Sequence, residues 1–210
     1  MGEAMIVYRN KGWLCRAVTG IAAALLVGLF ALKGHAQDLF VANVTSSEVH
    51  FGVLAHGIDG VEGGADINAE FNLRSPIPDD VISGAPWWLK WTLQPRPTIG
   101  ASVNTAGQTD QAYVGANWTW LLKDNIFNPG DGVFLGYFFG PGFNNGVLGP
   151  APPDRQALGS HILFREAFDL GYQINPAWNV SVFFDHISNG GLAKYNQAIN
   201  DAGVRIGFRF

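Results

Sequence analysis

Val204-Arg205-Ile206-Gly207-Phe208-Arg209-Phe210 closes the chain. Its apolar residues fall on every second position, the period of a strand with one face in an apolar medium. Working back from this end, the same alternation recurs. Ala112, Val114, Ala116, Trp118 and Trp120 alternate with Gln111, Tyr113, Gly115, Asn117 and Thr119. Ala65, Ile67, Ala69, Phe71 and Leu73 alternate with Asp66, Asn68, Glu70, Asn72 and Arg74. Trp87, Leu89, Trp91 and Leu93 alternate with Trp88, Lys90, Thr92 and Gln94, which reads as the start of a third strand. That strand resumes over 98–104 after a kink at Pro95 and Pro97. Further strands are expected over 47–55, 133–139, 161–172, 178–188 and 197–210, giving eight in all.

The tryptophans decide which face points where. Trp87, Trp91, Trp118 and Trp120 share faces with other apolar residues, while the alternate positions carry amides and charges. Polar residues can fill a small lumen, and tryptophans suit the rim of a bilayer. A soluble barrel would turn its apolar face inward. Residues 37–210 hold no apolar run near the roughly 20 residues a spanning helix needs. Strands closed into a barrel are the other way to satisfy every backbone group in hydrocarbon. An all-β, eight-stranded antiparallel transmembrane barrel is therefore expected, its interior filled by side chains rather than open as a pore. The final alternation ending on Phe210 resembles the terminal strand of bacterial outer-membrane barrels. That resemblance implies recognition by the outer-membrane barrel assembly machinery.

Residues 1–36 read as a cleaved secretory signal. Arg9, Lys11 and Arg16 precede an apolar run from Ala17 to Leu32, and Gly34-His35-Ala36 forms a small-x-small cleavage site before Gln37. The mature chain, 37–210, is then a single barrel domain. Of 13 basic and 17 acidic residues the leader takes four and one, leaving 9 and 16, a formal charge of −7. That balance argues against nucleic acid as a partner. Cys15, the chain's single cysteine, lies in the leader, so no disulfide or cysteine-based metal site is expected in the barrel.

Chemistry concentrates in His186-Ile187-Ser188-Asn189-Gly190-Gly191-Leu192 and the following Asn196. Two residues apart on a strand, His186 and Ser188 point to one face, with about 6.6 Å between their Cβ atoms along the strand. They continue the stripe of Trp178, Val180, Val182 and Phe184, so a polar pair faces lipid. Such a placement is costly unless it works. A serine hydroxyl becomes nucleophilic when a base takes its proton, and that base needs a third group on its other nitrogen. Antiparallel pairing across 189–197 puts Asn200 opposite His186, on the same outward face as Val204 and Ile206. Asn189, Asn196 and the Gly190-Gly191 backbone are available for a developing oxyanion.

The run His186-Ile-Ser-Asn-Gly-Gly-Leu-Ala, then Asn196, then an alternating strand to a terminal Phe resembles the carboxy-terminal signature of PagL-type lipid A 3-O-deacylases. The segments Phe164-Arg165-Glu166 and Leu170-Gly171-Tyr172 also resemble a family strand. The resemblance is specific over 160–210 and architectural before that. It implies an eight-stranded outer-membrane barrel with an outward-facing Ser-His-Glu triad and no metal or other cofactor. It implies hydrolysis of the ester-linked acyl chain at position 3 of lipid A, taken from lipopolysaccharide in the outer leaflet. Ser188 would be the nucleophile and His186 the base. The family's glutamate falls on Asn200, with Asp201 one residue away. Asp201 has the right charge and the wrong parity unless a bulge intervenes. A catalytically silent barrel with a structural or adhesive role is the alternative that Asn200 leaves open.

Other residues read more plainly. Glu166 falls among Ile162, Phe164 and Phe168 on the lipid side, which calls for a bulge. His50, His56 and His161 lack partners at metal-ligand spacing and read as lumen or loop histidines. Asp59, Glu62 and Asp66 read as a solvated acidic loop in preference to a cation site, and Arg155 and Lys194 as solvated loop cations in preference to phosphate contacts.

Overall fold

The computed structural model describes residues 46–210. The expected leader, 1–36, lies outside them. Eight antiparallel strands close on themselves in chain order: β1 (Glu48–Ala55), β2 (Ala65–Asn72), β3 (Arg96–Asn104), β4 (Gln111–Asp124), β5 (Gly132–Asn144), β6 (Ile162–Gln173), β7 (Trp178–Ser188) and β8 (Ile199–Arg209). The ring is sealed by β1 on β8, where Val49 faces Phe208 and Ala55 faces Ala202. Ser47 and Phe210 exchange backbone hydrogen bonds of 3.1 and 2.9 Å beside that seam.

Burial follows the alternation. In β4, Gln111, Tyr113, Asn117 and Thr119 are buried in the lumen; in β8 the buried set is Ile199, Asp201, Arg205 and Gly207. Phe51, Ile67, Ile99, Leu170, Val182 and Val204 stand exposed on the other face. An apolar band running across β1, β2, β3, β6, β7 and β8 is far more than a soluble monomer exposes and is what hydrocarbon would cover. Among the described residues, no helix is long and apolar enough to cross a membrane.

One expected strand segment is a helix. Trp87–Leu93 forms α1, begun at Pro86 and ended before Pro95, and β3 starts only at Arg96. Residues this rich in Trp and Leu fit either period over seven positions. The prolines decide, one suited to a helix start and the other disfavouring helix just before it. The face assigned to Trp87 and Trp91 therefore falls away, while Trp118 keeps its outward place, stacked on Tyr137 at 5.9 Å.

The lumen is packed with paired charges. Arg205 reaches Asp169 at 2.5 Å and Glu70 at 3.1 Å, and Arg165 reaches Asp185 at 2.8 Å while lying 3.6 Å over the Tyr113 ring. Tyr113 itself fits because β3 offers Gly100 there; a Cβ would stand 2.5 Å from the phenol oxygen. Buried ions out of water persist when paired and hydrogen-bonded, so this interior is a fixed scaffold rather than a channel.

At the end away from Ser47 and Phe210, loops interlock over the mouth. Glu62, after β1, accepts from the Thr109 and Gln156 backbone N–H groups at 3.0 and 2.8 Å and from Arg155 at 3.3 Å. Leu158, in the β5–β6 loop, drops fully inside to join Leu163, Ile187 and Ile199. Those last two back the ends of β7 and β8 from within. The expected solvated acidic loop is thus a buried tie, because closing the ring brings loops distant in sequence onto Glu62.

Candidate active site

The register of the last hairpin pairs His186 with Asn200, and β6 sets Glu166 beside His186 and Phe164 beside Ser188. All of these share the outward parity of Val182 and Val204. His186 Nδ1 lies 2.7 Å from Asn200 Oδ1, and His186 Nε2 lies 3.0 Å from Ser188 Oγ. An amide oxygen only accepts, so the imidazole carries its proton on Nδ1 and turns the Nε2 lone pair to the hydroxyl. The three side chains are half-buried on the outer wall, reachable from lipid and braced from the lumen side by Ile187 and Ile199.

No bulge interrupts β6, β7 or β8 at this point. Asp201 consequently faces inward and is buried, opposite Asp185, and accepts from Gly57 N–H at 2.8 Å. Glu166 does face outward, half-buried, with His186 as its cross-strand neighbour. The bulge expected for Glu166 is absent because its neighbours on that face include a polar site and not lipid-facing side chains alone.

The four residues expected to meet an oxyanion divide. Asn189 is spent on the loop: its Nδ2 donates to the Leu158 and Tyr195 carbonyls at 2.8 and 2.6 Å, and its Oδ1 accepts from Gly191 N–H at 2.9 Å. That also uses the Gly191 donor. Among the described residues, the Gly190 N–H and the Asn196 Nδ2 have no hydrogen-bond partner. Asn196 Oδ1 accepts from the Asn189 backbone N–H at 2.9 Å, which holds its amide next to the residue that follows Ser188. Gly190 sits at φ +63°, a conformation other residues adopt rarely, with the Phe164 ring 3.4 Å from where a Cβ would be.

A second histidine stands on the inner side of the same wall. His56 Nδ1 is 2.9 Å from Asp66 and 3.3 Å from Asp201, and its Nε2 is 3.2 Å from Glu62. Ring closure supplies these partners, which spacing along the chain could not show. Atoms of His56, Asp66 and Asp201 lie within 4.8 Å of one another, close enough to share a metal ion. The hydrogen bonds already present suit an imidazolium. Burial opposes its charge, but the bonds to Asp66 and Glu62 outweigh that and hold His56 up at about 10. Burial likewise pushes Glu62 up, and the bonds from His56, Gln156 and Thr109 override it to about 2. Arg155 belongs to this tie rather than to solvent, and Lys194 lies 5.4 Å over the Tyr195 ring.

Sequence reasoning passed over Asp59 as a partner of the site. Ile58 N–H donates to the Asn200 carbonyl at 2.8 Å, and the Asn200 Nδ2 lies 3.5 Å from Asp59 Oδ2. The signal available was the isolated acid in the Gly57-Ile58-Asp59-Gly60 turn, but nothing local links it to β8.

A family profile describing lipid A 3-O-deacylases (PagL) matches residues 81–209. The chain belongs to the PagL lipid A 3-O-deacylase family. With its closed barrel, that membership places it in the bacterial outer membrane. The crystal structure of the outer membrane enzyme PagL superposes with a TM-score of 0.57 at 18% identity, covering 76% of this chain and 97% of that one. Neisserial surface protein A is similar with a TM-score of 0.47 at 11% identity, covering 78% and 97%. The N-terminal β-barrel domain of Pseudomonas aeruginosa OprF gives 0.46 at 11%, covering 79% and 98%. No curated protein sequence matches the chain significantly.

Proposed function

We propose that this member of the PagL family is a serine esterase that removes the ester-linked 3-O-acyl chain from lipid A of lipopolysaccharide. The observation that carries this reading is the unbroken hydrogen-bonded line from Ser188 through His186 to Asn200 on the lipid-facing wall. His186 takes the Ser188 proton as Oγ attacks the ester carbonyl carbon. The resulting oxyanion is met by Gly190 N–H and the Asn196 amide. His186 then returns the proton to the departing sugar oxygen, and the acyl group stays on Ser188. Water, deprotonated by the same ring, releases the fatty acid and restores the serine.

Position supports the substrate. An exported barrel has both termini on the periplasmic side, so the end of β7 bearing His186 and Ser188 lies at the outer leaflet. There the ester bonds of lipid A sit just beneath the sugar headgroup, and substrate arrives by lateral diffusion. Phe164, beside Ser188, and Phe139, stacked on it at 6.4 Å, offer an apolar wall for the chain being cut.

Mass spectrometry of lipid A from cells expressing the wild type should show loss of one ester-linked acyl chain, and cells expressing Ser188→Ala should not. Identical lipid A in both would leave a catalytically silent barrel. Cysteine at Lys194 should label from outside intact cells and cysteine at Asn175 should not; the opposite polarity would remove lipid A as substrate.

A further inference from the structure

The proposed mechanism leaves one chemical gap. A carboxylate third to serine and histidine can only accept, so it fixes the imidazole tautomer by itself. An asparagine has two faces, an accepting oxygen and a donating nitrogen, and the wrong one would turn the ring's lone pair away from serine. Something must choose between them. Among the described residues, the other hydrogen-bond partner of the Asn200 amide is Asp59, from the loop after β1: its Oδ2 faces Asn200 Nδ2 at 3.5 Å, and Gln156 Nε2 donates to the same oxygen at 2.9 Å. The other oxygen, Oδ1, is buried without a hydrogen-bond partner. The turn is locked to β8 by the Ile58 N–H bond to the Asn200 carbonyl and the Gly57 N–H bond to Asp201.

We infer that Asp59 is a positioning residue that sets the polarity of the relay from across the barrel seam. A carboxylate accepts and cannot donate, so Asn200 must present Nδ2 to it and Oδ1 to His186. That forces the proton onto Nδ1 and leaves Nε2 free to accept from Ser188. The negative charge also draws the amide's positive end toward Asp59 and strengthens its oxygen as an acceptor for the imidazolium formed during attack. Asn200 and Asp59 together thus supply what one glutamate does elsewhere in the family. This inference rests on the esterase reading for its consequence in catalysis, though not for its geometry.

The test compares wild type, Asp59→Asn, Asn200→Asp and the double variant, each folded in detergent and checked by heat-modified gel mobility. Nitrogen-15 spectra of the imidazole, assigned with His186→Gln, read the tautomer at a pH where the ring is neutral. The wild type should show the Nδ1–H form alone. Asp59→Asn should show both forms and a kcat about tenfold lower with KM unchanged, equivalent to about 1.4 kcal/mol in the barrier. In the Asn200→Asp background, which accepts on both sides, Asp59→Asn should restore the single tautomer and leave kcat within about twofold. An unmixed tautomer in Asp59→Asn overturns the inference, as does an equal loss of kcat in both backgrounds. A mixed tautomer in a protein that cleaves no ester supports the inference and sinks the esterase reading instead.

Discussion

Asn200 and Asp201 are neighbours on β8, and each meets a histidine on opposite sides of the barrel wall. Outside, His186 touches an amide oxygen and a hydroxyl, neither of them charged. Inside, His56 is gripped by Glu62, Asp66 and Asp201. In the proposed reaction the outer ring takes a proton from Ser188 and hands it back. The inner ring is a fixed cation that ties loops to strands. One side-chain type thus serves two ends, and the choice is made by the charge of its partners. Parity assigns those partners, since a slip of one residue in β8 would exchange Asn200 for Asp201 at the outer face.

The sharpest way to break this comparison is to remove the outer pair. Ser188→Ala and His186→Ala should each lower kcat by about 10⁴-fold or more, and the double variant hardly further, because nucleophile and base act as one unit. Near-normal turnover in either single variant would show that the outer histidine is no base. Asn200→Ala comes next, with a loss on the order of 10²-fold. Asp201→Ala should cost the reaction less, its place being the inner tie. The reverse ranking in an ester-cleavage assay would put Asp201 on the outer face after all.

The inner network should respond to pH instead. His56 is raised from its ordinary 6.5 to about 10, so its contribution is complete below 6.5 and fades as pH climbs through 10. Glu62 is lowered from 4.5 to about 2, so its share is complete above 4.5 and fades as pH falls through 2. Protease nicking of the loop 57–64 should therefore be slowest between about pH 5 and 6.5 and rise on the alkaline side. The smallest effect sharpens the picture further: His56→Gln should flatten the alkaline rise while the strands keep their heat-modified mobility. A rise unchanged in that variant would place the titrating group elsewhere.

Much of this was legible in the residues themselves. Eight strands, the lumen face of β4 and β8, and the facing of His186 by Asn200 follow from a period of two and the length of one hairpin. Two things obscured the rest. Short apolar runs carry no decisive period, which is why Trp87–Leu93 read as strand and why β5, expected to stop at Phe139, continues through Gly140-Pro141-Gly142 to Asn144. Loops, moreover, find partners only through closure. Glu62 meets Gln156, and Asp59 meets Asn200, across separations that no local pattern encodes.

The seam between β1 and β8 gives the contact of Asp59 with Asn200 a meaning in time. Ser188, His186 and Asn200 all lie on the last hairpin, which can form early and locally. Asp59 is carried by the loop at the far end of β1, which lies far from β8 in sequence and meets it only where the ring closes. The hairpin therefore gains its final polar partner only at the moment the ring shuts. If Asp59 sets the polarity of Asn200 as inferred, the base of the proposed serine nucleophile is fully oriented only in the closed barrel, so that closing the ring would also arm the site.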